Sequence, residues 1–382
     1  MSDKTCNNFK DEQRRLPKWL RRVTGYIQEK IQEPEDDLIV ELETVDPKPE
    51  ILTRPPKIGL ALGCGGAKSL AHMGVLKVLT EHNIPIHAVA GTSMGAYIGA
   101  LWATGHTIDE MYDLAAEMID PDSLKKLADP IIPPIKGIYY GNKVKEHLRR
   151  SIGDVTFEEL DRKLYIISAN LNNFERIVFR SGSVLDAVHA SCAMPGIIAP
   201  VEIDGKRCVD GGVADPVPVG SLRKFADVDR IIAVSTTTTL EDIDTLAKAT
   251  VTAEREEALN RSWWQNKMSS LNKKLNPAAK GNILDNLSRS LTISQIRIAY
   301  DACKRADLAI QPVCHGCHWH EYSNFEKFID LGEETALSQI GSIKKLLEPI
   351  PVETPVTTPP DITTNHEATK KYMVGESVAK RN

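Results

Sequence analysis

The sequence predicts an α/β fold with a mostly parallel central sheet, and residues 57–105 indicate it most clearly. Short apolar runs of strand type, Lys57–Leu62 and Ile84–Ala90, alternate with segments of helical periodicity, Leu70–His82 and Ala96–Thr104. A glycine-rich turn follows each of the two strands. Since the strands of such alternating units lie parallel, both turns are expected at the carboxyl edge of the sheet, where open α/β sheets build their sites.

The composition is that of an ordinary globular protein. The 382 residues are 42% hydrophobic and 26% charged, and a net charge of −5 argues against a nucleic-acid partner. The longest apolar run, Ile84–Ala103, is interrupted by a strand, a turn and glycines, so it predicts core and not a membrane span. Seven scattered cysteines favour a reducing compartment, and no secretion signal is recognisable, so we expect a cytoplasmic protein.

Residues 1–56 precede the first strand of the core. Within them, Leu16–Ile31 places apolar residues, Trp19 among them, on one helical face, and basic residues crowd its start. Two interpretations stay open: an interfacial helix with peripheral contact at the inner membrane surface, or a helix packed on the domain with its basic side in solvent. Residues 33–56 are acidic and interrupted by prolines, which indicates a linker or an extended arm.

Helices and strands continue to alternate beyond residue 105. Helices are predicted at Ile108–Leu127, Asn142–Ile152, Ser183–Ala190 and within Asn324–Leu347, and strands at Lys163–Asn170, Arg176–Phe179, Val201–Ile203, Arg207–Val209, Arg230–Ser235 and Leu308–Val313. The core is expected at 57–220, and residues 221–347 complete the domain. The Pro- and Thr-rich tail, 348–382, is predicted to be disordered.

Residues 240–300 are helix-rich and lack strand signals. They include Trp263-Trp264 with several lysines nearby. A lid or a membrane-facing surface is one interpretation of this segment, and helical packing around the core is the other.

The second glycine turn, Gly91-Thr92-Ser93-Met94-Gly95, has the Gly-x-Ser-x-Gly pattern of a nucleophile elbow. A tight turn of this kind strains the serine backbone and exposes the Ser93 hydroxyl above the sheet, at the positive end of the next helix. The small residues Gly91 and Gly95 let the helix and the strand approach each other. The pattern alone is common, but its place between a strand and a helix favours a nucleophilic serine over an ordinary turn.

The first glycine turn, residues 63–69, admits four interpretations. A dinucleotide fingerprint would need an acidic residue at the end of the next strand, and none stands there. A phosphate-binding loop would need glycine immediately before Lys68 and at position 62, and neither is present. A plain tight turn is the third. The fourth, an oxyanion hole formed by the backbone amides of Gly65, Gly66 and Ala67, is favoured because the loop lies one helix before the elbow.

A nucleophilic serine needs a base. None of the histidines that follow Ser93 stands in a recognisable catalytic frame. Asp210 follows a short strand and precedes Gly211-Gly212, which lets the backbone turn and leaves the carboxylate accessible. The competing interpretation is a β-turn aspartate, which is common in Asp-Gly sequences.

Four segments of the chain form an ordered set of motifs. They are LGCGGAKSLAHMGVL (Leu62–Leu76), GTSMGA (Gly91–Ala96), ASCAMPGIIAPV (Ala190–Val201) and VDGGVADPVPV (Val209–Val219). This set resembles the patatin-like phospholipases, in particular the bacterial proteins close to the catalytic domain of neuropathy target esterase. The resemblance covers about residues 57–220, and the four segments together are highly specific.

The resemblance implies a three-layer α/β/α patatin-like fold with helical C-terminal additions. It also implies a serine hydrolase that cleaves fatty-acyl esters of phospholipids or lysophospholipids through an acyl-enzyme, with no metal and no cofactor. Ser93 would be the nucleophile and Asp210 the base of a Ser–Asp dyad. The glycine loop, including Lys68, would form the oxyanion hole.

Several positions depart from the family's usual sequence. The loop usually reads Gly-Gly-Gly-x-Arg-Gly, and Cys64, Lys68 and Ser69 replace its first glycine, its arginine and its last glycine. Ser69 would be strained if its position required a positive φ. After Asp-Gly-Gly, Asp215 and Pro216 replace two frequent asparagines. The substitutions at Cys64, Lys68 and Ser69 support the alternative function, a catalytically weak protein that keeps the fold as a lipid-binding or regulatory module.

The segment Cys314–His320 contains the Cys-x-x-Cys-His spacing of haem attachment and enough ligands for zinc. Haem attachment would need export, and a zinc site usually needs spaced ligand pairs. A surface turn after the last strand is therefore favoured, and no metal is expected.

Overall fold

The structure, a computed structural model, describes residues 52–117, 126–240, 242–243, 282–315 and 317–352. The predicted helix Leu16–Ile31 and the Trp263-Trp264 segment lie outside the described residues, as do residues 353–382 of the tail.

Ten strands make up the two sheets of the described chain. They are β1 (Thr53–Arg54), β2 (Ile58–Leu62), β3 (Ile86–Thr92), β4 (Lys163–Asn170), β5 (Arg176–Phe179), β6 (Val201–Ile203), β7 (Lys206–Asp210), β8 (Arg230–Val234), β9 (Leu308–Ile310) and β10 (Ile350–Pro351). The large sheet has the order β6-β7-β4-β3-β2-β8-β9, with β5 beside β4. Strands β4, β3, β2, β8 and β9 are parallel, whereas β5, β6 and β7 join by antiparallel pairing.

Helices cover both faces of the large sheet. They are α1 (Ala71–Glu81), α2 (Met94–Ala103), α3 (Ile108–Glu117), α4 (Asn142–Ile152), α5 (Val184–Ser191), α6 (Val219–Phe225), α7 (Ile283–Lys304), α8 (Phe325–Ser338) and α9 (Ile340–Lys345). Along β2, Leu60 and Leu62 belong to an apolar cluster shared with α1, α2 and α8, whereas Ala61 belongs to a second cluster shared with α6 and α7. Alternate residues of a strand face opposite sides, so the fold has the three layers that the resemblance implies.

Most predicted elements are present, and the differences lie at their ends. The first glycine turn already coils into a 3₁₀ turn, Gly66–Leu70, before α1 begins. Helix α3 ends at Glu117, and residues 118–125 are outside the described part of the chain. The final helical segment is two helices that meet at Gln339.

A two-stranded sheet joins the predicted linker or extended arm to the start of the predicted tail. Strand β1 lies within the predicted linker and pairs antiparallel with β10, which lies within the predicted disordered tail. Because Arg54 also forms an ion pair with Asp229, immediately before β8 begins, this small sheet lies at the amino edge of the large one.

Among the described helices, none is both long and apolar enough to cross a membrane.

Candidate active site

The turn between β3 and α2 holds Ser93 in a strained backbone conformation. Its φ is 56° and its ψ is −126°, a region that non-glycine residues rarely adopt. A Cβ atom at Gly91 would lie 2.4 Å from the carbonyl oxygen of Gly95, and one at Gly95 would lie 2.4 Å from that of Leu62. The elbow is thus packed directly against the end of β2, where the glycine loop begins.

The register of the sheet brings Ser93 and Asp210 together. Thr92 pairs with Ile167 on β4, and the next residue of β4, Ser168, pairs with Asp210 at the end of β7. The Ser93 hydroxyl donates a hydrogen bond of 2.6 Å to Oδ2 of Asp210, and both side chains are buried.

The second carboxylate oxygen of Asp210 is also engaged. Oδ1 accepts a hydrogen bond of 2.7 Å from the Gly212 amide. Burial raises the pKa of Asp210 to about 6, because the charged form loses hydration, and the hydrogen bonds from Ser93 and Gly212 offset this effect only in part. A carboxylate with a pKa nearer neutrality is a stronger base for a serine hydroxyl than an exposed one.

Two hydroxyl groups near the elbow fix its backbone. Ser191, at the end of α5, accepts a hydrogen bond of 2.8 Å from the Ser93 amide and donates one of 2.5 Å to the carbonyl of Ile167. Thr92 donates to the backbone carbonyl of Asp215 at 2.8 Å. Ser191 lies within a recognised motif segment, but sequence reasoning assigned it no role because its partners are distant in the chain.

The buried Asp215 carboxylate forms an ion pair with the half-buried Arg176. Its Oδ2 accepts hydrogen bonds of 2.7 Å from Arg176 on β5 and of 2.7 Å from the Ser221 hydroxyl. Burial raises the pKa of Asp215, and its two hydrogen-bond partners act in the opposite direction. Asp215, which departs from the family's usual asparagine, therefore has a charged partner within the fold.

The glycine loop lies beside the carboxylate of the dyad. A Cβ atom at Gly212 would be 3.0 Å from Oδ1 of Asp210 and 3.1 Å from Sγ of Cys64. The amides of Gly65 and Gly66 have no acceptor among the described residues, so both are free to donate to a ligand.

The amide of Ala67, counted among the expected oxyanion donors, is already engaged. It donates a hydrogen bond of 2.7 Å to the backbone carbonyl of Trp319. That carbonyl lies against the loop, since a Cβ atom at Gly66 would come within 2.3 Å of it. No local signal in the sequence indicates this contact, because Trp319 follows the loop by about 250 residues.

The substituted loop positions fit the structure. Ser69 lies in the 3₁₀ turn and is not among the non-glycine residues with positive φ, so the expected strain is absent. Its hydroxyl is 3.1 Å from that of Thr236 and donates to the Gly63 carbonyl at 3.3 Å. Burial lowers the pKa of Lys68, and the nearby thiol of Cys64 and the carboxylate of Glu321 act against that effect.

The cysteines of this region are neutral thiols or paired. Burial, and next the charge of Asp210, raise the pKa of Cys64 and of Cys192, so neither becomes a thiolate near neutral pH. Cys314 and Cys317 form a disulfide, whereas the sequence favours a reducing compartment.

Within the described ranges, no group of three or more acidic, histidine or cysteine side chains is placed to hold a metal ion.

Fold and site together define an α/β protein with a buried serine and aspartate in hydrogen-bond contact on a nucleophile elbow. Comparison with protein families shows what the chain is similar to. Residues 60–223 match the model described as patatin-like phospholipase.

Two proteins that are similar in sequence to this chain both have NTE in their names. An uncharacterised NTE family protein of Mycobacterium tuberculosis is 37% identical over 180 residues, which are 47% of this chain and 49% of that protein. The lysophospholipase NTE1 of Eremothecium gossypii is 29% identical over 163 residues, which are 42% of this chain and 11% of that protein. The chain thus spans about half the length of the mycobacterial relative and about a tenth of the other.

Solved structures show a more distant likeness. The crystal structure of VipD from Legionella pneumophila is 16% identical, with a TM-score of 0.39, over 75% of this chain and 67% of that chain. At this TM-score the likeness supports no inference about the present protein.

Proposed function

We propose that the protein is a serine hydrolase that cleaves fatty-acyl ester bonds of lipids through a Ser93–Asp210 dyad. The observation that carries the proposal is the hydrogen bond of 2.6 Å from the Ser93 hydroxyl, on its strained elbow, to the buried Asp210 carboxylate. The match to the patatin-like phospholipase model supports lipid ester hydrolysis in general.

In the first step, the Ser93 oxygen attacks the carbonyl carbon of the ester while Asp210 accepts the hydroxyl proton. The carbonyl oxygen becomes negatively charged in the tetrahedral intermediate. The free amides of Gly65 and Gly66 are the donors available to it. One such donor typically stabilises the transition state by about 3 kcal/mol.

In the second step, the tetrahedral intermediate collapses and the ester C–O bond breaks. Asp210 returns its proton to the leaving alcohol, and an acyl group stays on Ser93. Water then attacks the acyl-enzyme as the same carboxylate accepts a proton. The bond between the acyl carbon and the Ser93 oxygen breaks, Asp210 returns the proton to that oxygen, and the fatty acid leaves. A single carboxylate thus serves as base and acid in turn, for which a pKa of about 6 is suited.

Phospholipids and lysophospholipids are the substrates we propose. A relative named lysophospholipase NTE1 supports this class. The alternative, a catalytically weak lipid-binding or regulatory protein, depended on the substituted loop positions. Its support is weaker now, since Ser69 adopts its position without positive φ and the amides of Gly65 and Gly66 remain free.

A fluorophosphonate probe and a p-nitrophenyl acyl ester test the proposal together. We expect the wild type to be labelled and active, and Ser93→Ala to lose both properties. Asp210→Asn should stay folded and lose at least about 100-fold in kcat/KM, the usual loss when a general base is removed. Ser338→Ala, an exposed serine on α8, is the matched control and should behave like the wild type.

Two results would count against the dyad. Full activity of Asp210→Asn, with the asparagine verified by mass, would remove Asp210 as the base. A folded wild type that binds lipid but neither labels nor turns over ester would establish the lipid-binding module instead.

A further inference from the structure

The connection between α3 and α4 carries an exposed apolar tip. In this tip loop, defined as residues 130–136, Ile132 is 87% exposed and Ile135 is 83% exposed. Two exposed prolines lie between them, and the exposed Lys136 follows. Ile132 and Ile135 lie three residues apart on one loop, and clustered exposed apolar side chains of this kind mark interaction sites.

Hydrogen bonds at its base hold the tip loop in place. The Ile131 amide donates to the carbonyl of Ile138 at 2.8 Å, and the Tyr140 amide donates to that of Asp129 at 3.0 Å. The Asp129 carboxylate also accepts hydrogen bonds of 2.9 and 2.7 Å from the first amides around α4. The exposure of the isoleucines is therefore a property of an ordered loop.

The base of the tip loop is joined to the segment that flanks the dyad. The Tyr139 amide donates to the carbonyl of Ile197 at 2.8 Å, and the Tyr139 carbonyl accepts from Ala199 at 2.9 Å. A little upstream in that segment, the carbonyl of Ala193 accepts a hydrogen bond of 2.8 Å from the Asp210 amide. One continuous stretch of chain thus connects the apolar tip to the catalytic carboxylate.

We propose that the tip loop inserts into the surface layer of a lipid bilayer and holds the mouth of the Ser93–Asp210 site against it. This inference rests on the proposed function, because a site for lipid acyl esters must reach molecules that reside in a membrane. It assigns a membrane contact to described residues, separate from the Trp19 and Trp263-Trp264 segments.

The chemistry of the loop suits a bilayer surface. Insertion removes the apolar area of Ile132 and Ile135 from water. Backbone groups are costly in lipid unless they are satisfied, and here two adjacent prolines have no N–H, while the Ile135 amide donates within the loop to Pro133 at 2.9 Å. Lys136 can reach lipid phosphates while its stem stays in the apolar layer. Tyr140, which is also exposed, is a residue type enriched at membrane interfaces.

Co-sedimentation of the full chain with phosphatidylcholine vesicles tests the inference. For Ile132→Ser/Ile135→Ser we expect vesicle partitioning to fall by about tenfold or more. The ratio of vesicle-phospholipid hydrolysis to soluble-ester hydrolysis should fall with it. Leu52→Ser is the matched control, since Leu52 is 62% exposed near the amino edge of the sheet, and it should partition like the wild type.

Ile132→Leu/Ile135→Leu keeps the apolar area and should bind vesicles like the wild type, which separates insertion from a disturbed fold. Unchanged partitioning of the serine variant would overturn the inference. If gel filtration also showed that the serine variant loses self-association, the tip loop would bind a second copy of the chain instead of a bilayer. Partitioning is scored on Ser93→Ala as well, so a failure of the hydrolase proposal leaves this measurement intact.

Discussion

Asp210 makes the activity of the proposed site depend on pH. Only the ionised carboxylate can accept the Ser93 proton, and burial raises its pKa to about 6. We expect kcat/KM for an uncharged soluble ester to be level above about pH 7 and to fall about tenfold per unit well below pH 6, because the protonated fraction grows. A profile measured between pH 4.5 and 8 checks this.

A midpoint near 4 would contradict the expectation, since it would mean that Asp210 titrates like an exposed carboxyl. The Ser338→Ala variant should share the wild-type midpoint. If a substitution changes only the hydration of Asp210 and shifts the midpoint of the kcat/KM profile, Asp210 is the group that titrates.

At the scale of single residues, the sequence predicts which side chains take part in the site but not which contacts they make. Ser93 and Asp210 each stand in a local pattern of glycines that marks an unusual backbone, so both could be predicted. The bond between them depends on the pairing of Ser168 with Asp210, which no local pattern encodes. The contact of Trp319 with Ala67 was missed for the same reason, since a backbone carbonyl leaves no trace in residue type.

The ion pair of Arg176 and Asp215 ties β5 to the chain after β7. Asp215 is only 6% exposed while Arg176 is 35% exposed. Arg176→Gln should lower the free energy of unfolding by about 2 kcal/mol, because it leaves a buried carboxylate without a countercharge; this is less than for a fully buried pair. Urea denaturation at pH 7 measures the change.

The double variant Arg176→Gln/Asp215→Asn provides the control for this pair. We expect it to recover much of the lost stability, since no buried charge remains, and to show a coupling of about 1 kcal/mol or more between the two positions. Additive effects of the single substitutions would show that the ion pair contributes nothing of its own.

Helix α2 can begin at the elbow only because Gly95 lacks a side chain. A Cβ atom there would meet the carbonyl oxygens of Leu62 and Gly63 at 2.4 and 2.6 Å, both in the backbone. Gly95→Ala should therefore cost about 3 kcal/mol of unfolding free energy and most of the ester hydrolysis, because β2 and the elbow must separate.

Gly99→Ala on the same helix is its matched control. The nearest atoms there belong to the side chains of Val89 and Leu164, at 3.1 and 3.4 Å, which can shift. The higher helix propensity of alanine offsets up to about 1 kcal/mol, so stability should change little. Equal losses in both variants would mean that the close approach at the elbow is not what requires glycine.

At the scale of elements, periodicity was sufficient where the chain alternates strand and helix. Strands β2 and β3 and helix α1 lie within a few residues of their predicted ends, since apolar spacing alone specifies them. The order of strands could not be predicted in this way. The antiparallel β6-β7 pair, which delivers Asp210, is short and partly exposed, and its place beside β4 depends on tertiary contacts.

At the scale of the whole molecule, the described sheets and the proposed site lie in one of the chain's two compact units. That unit begins at Leu52, just before the β1–β10 pair. A chain that starts at Leu52 should therefore retain the unfolding free energy of the sheet and, within about twofold, the soluble-ester kcat/KM, as expected for a unit with its own core. Chemical denaturation and ester kinetics check both.

The same shortened chain separates two sources of membrane contact. If the tip loop provides most of the binding, the chain from Leu52 should still partition to phosphatidylcholine vesicles, and adding Ile132→Ser/Ile135→Ser should reduce that partitioning by about tenfold or more. If the segment around Trp19 provides it, removing residues 1–51 should abolish partitioning while ester hydrolysis persists. The second result would place the membrane contact outside the unit that carries Ser93 and Asp210.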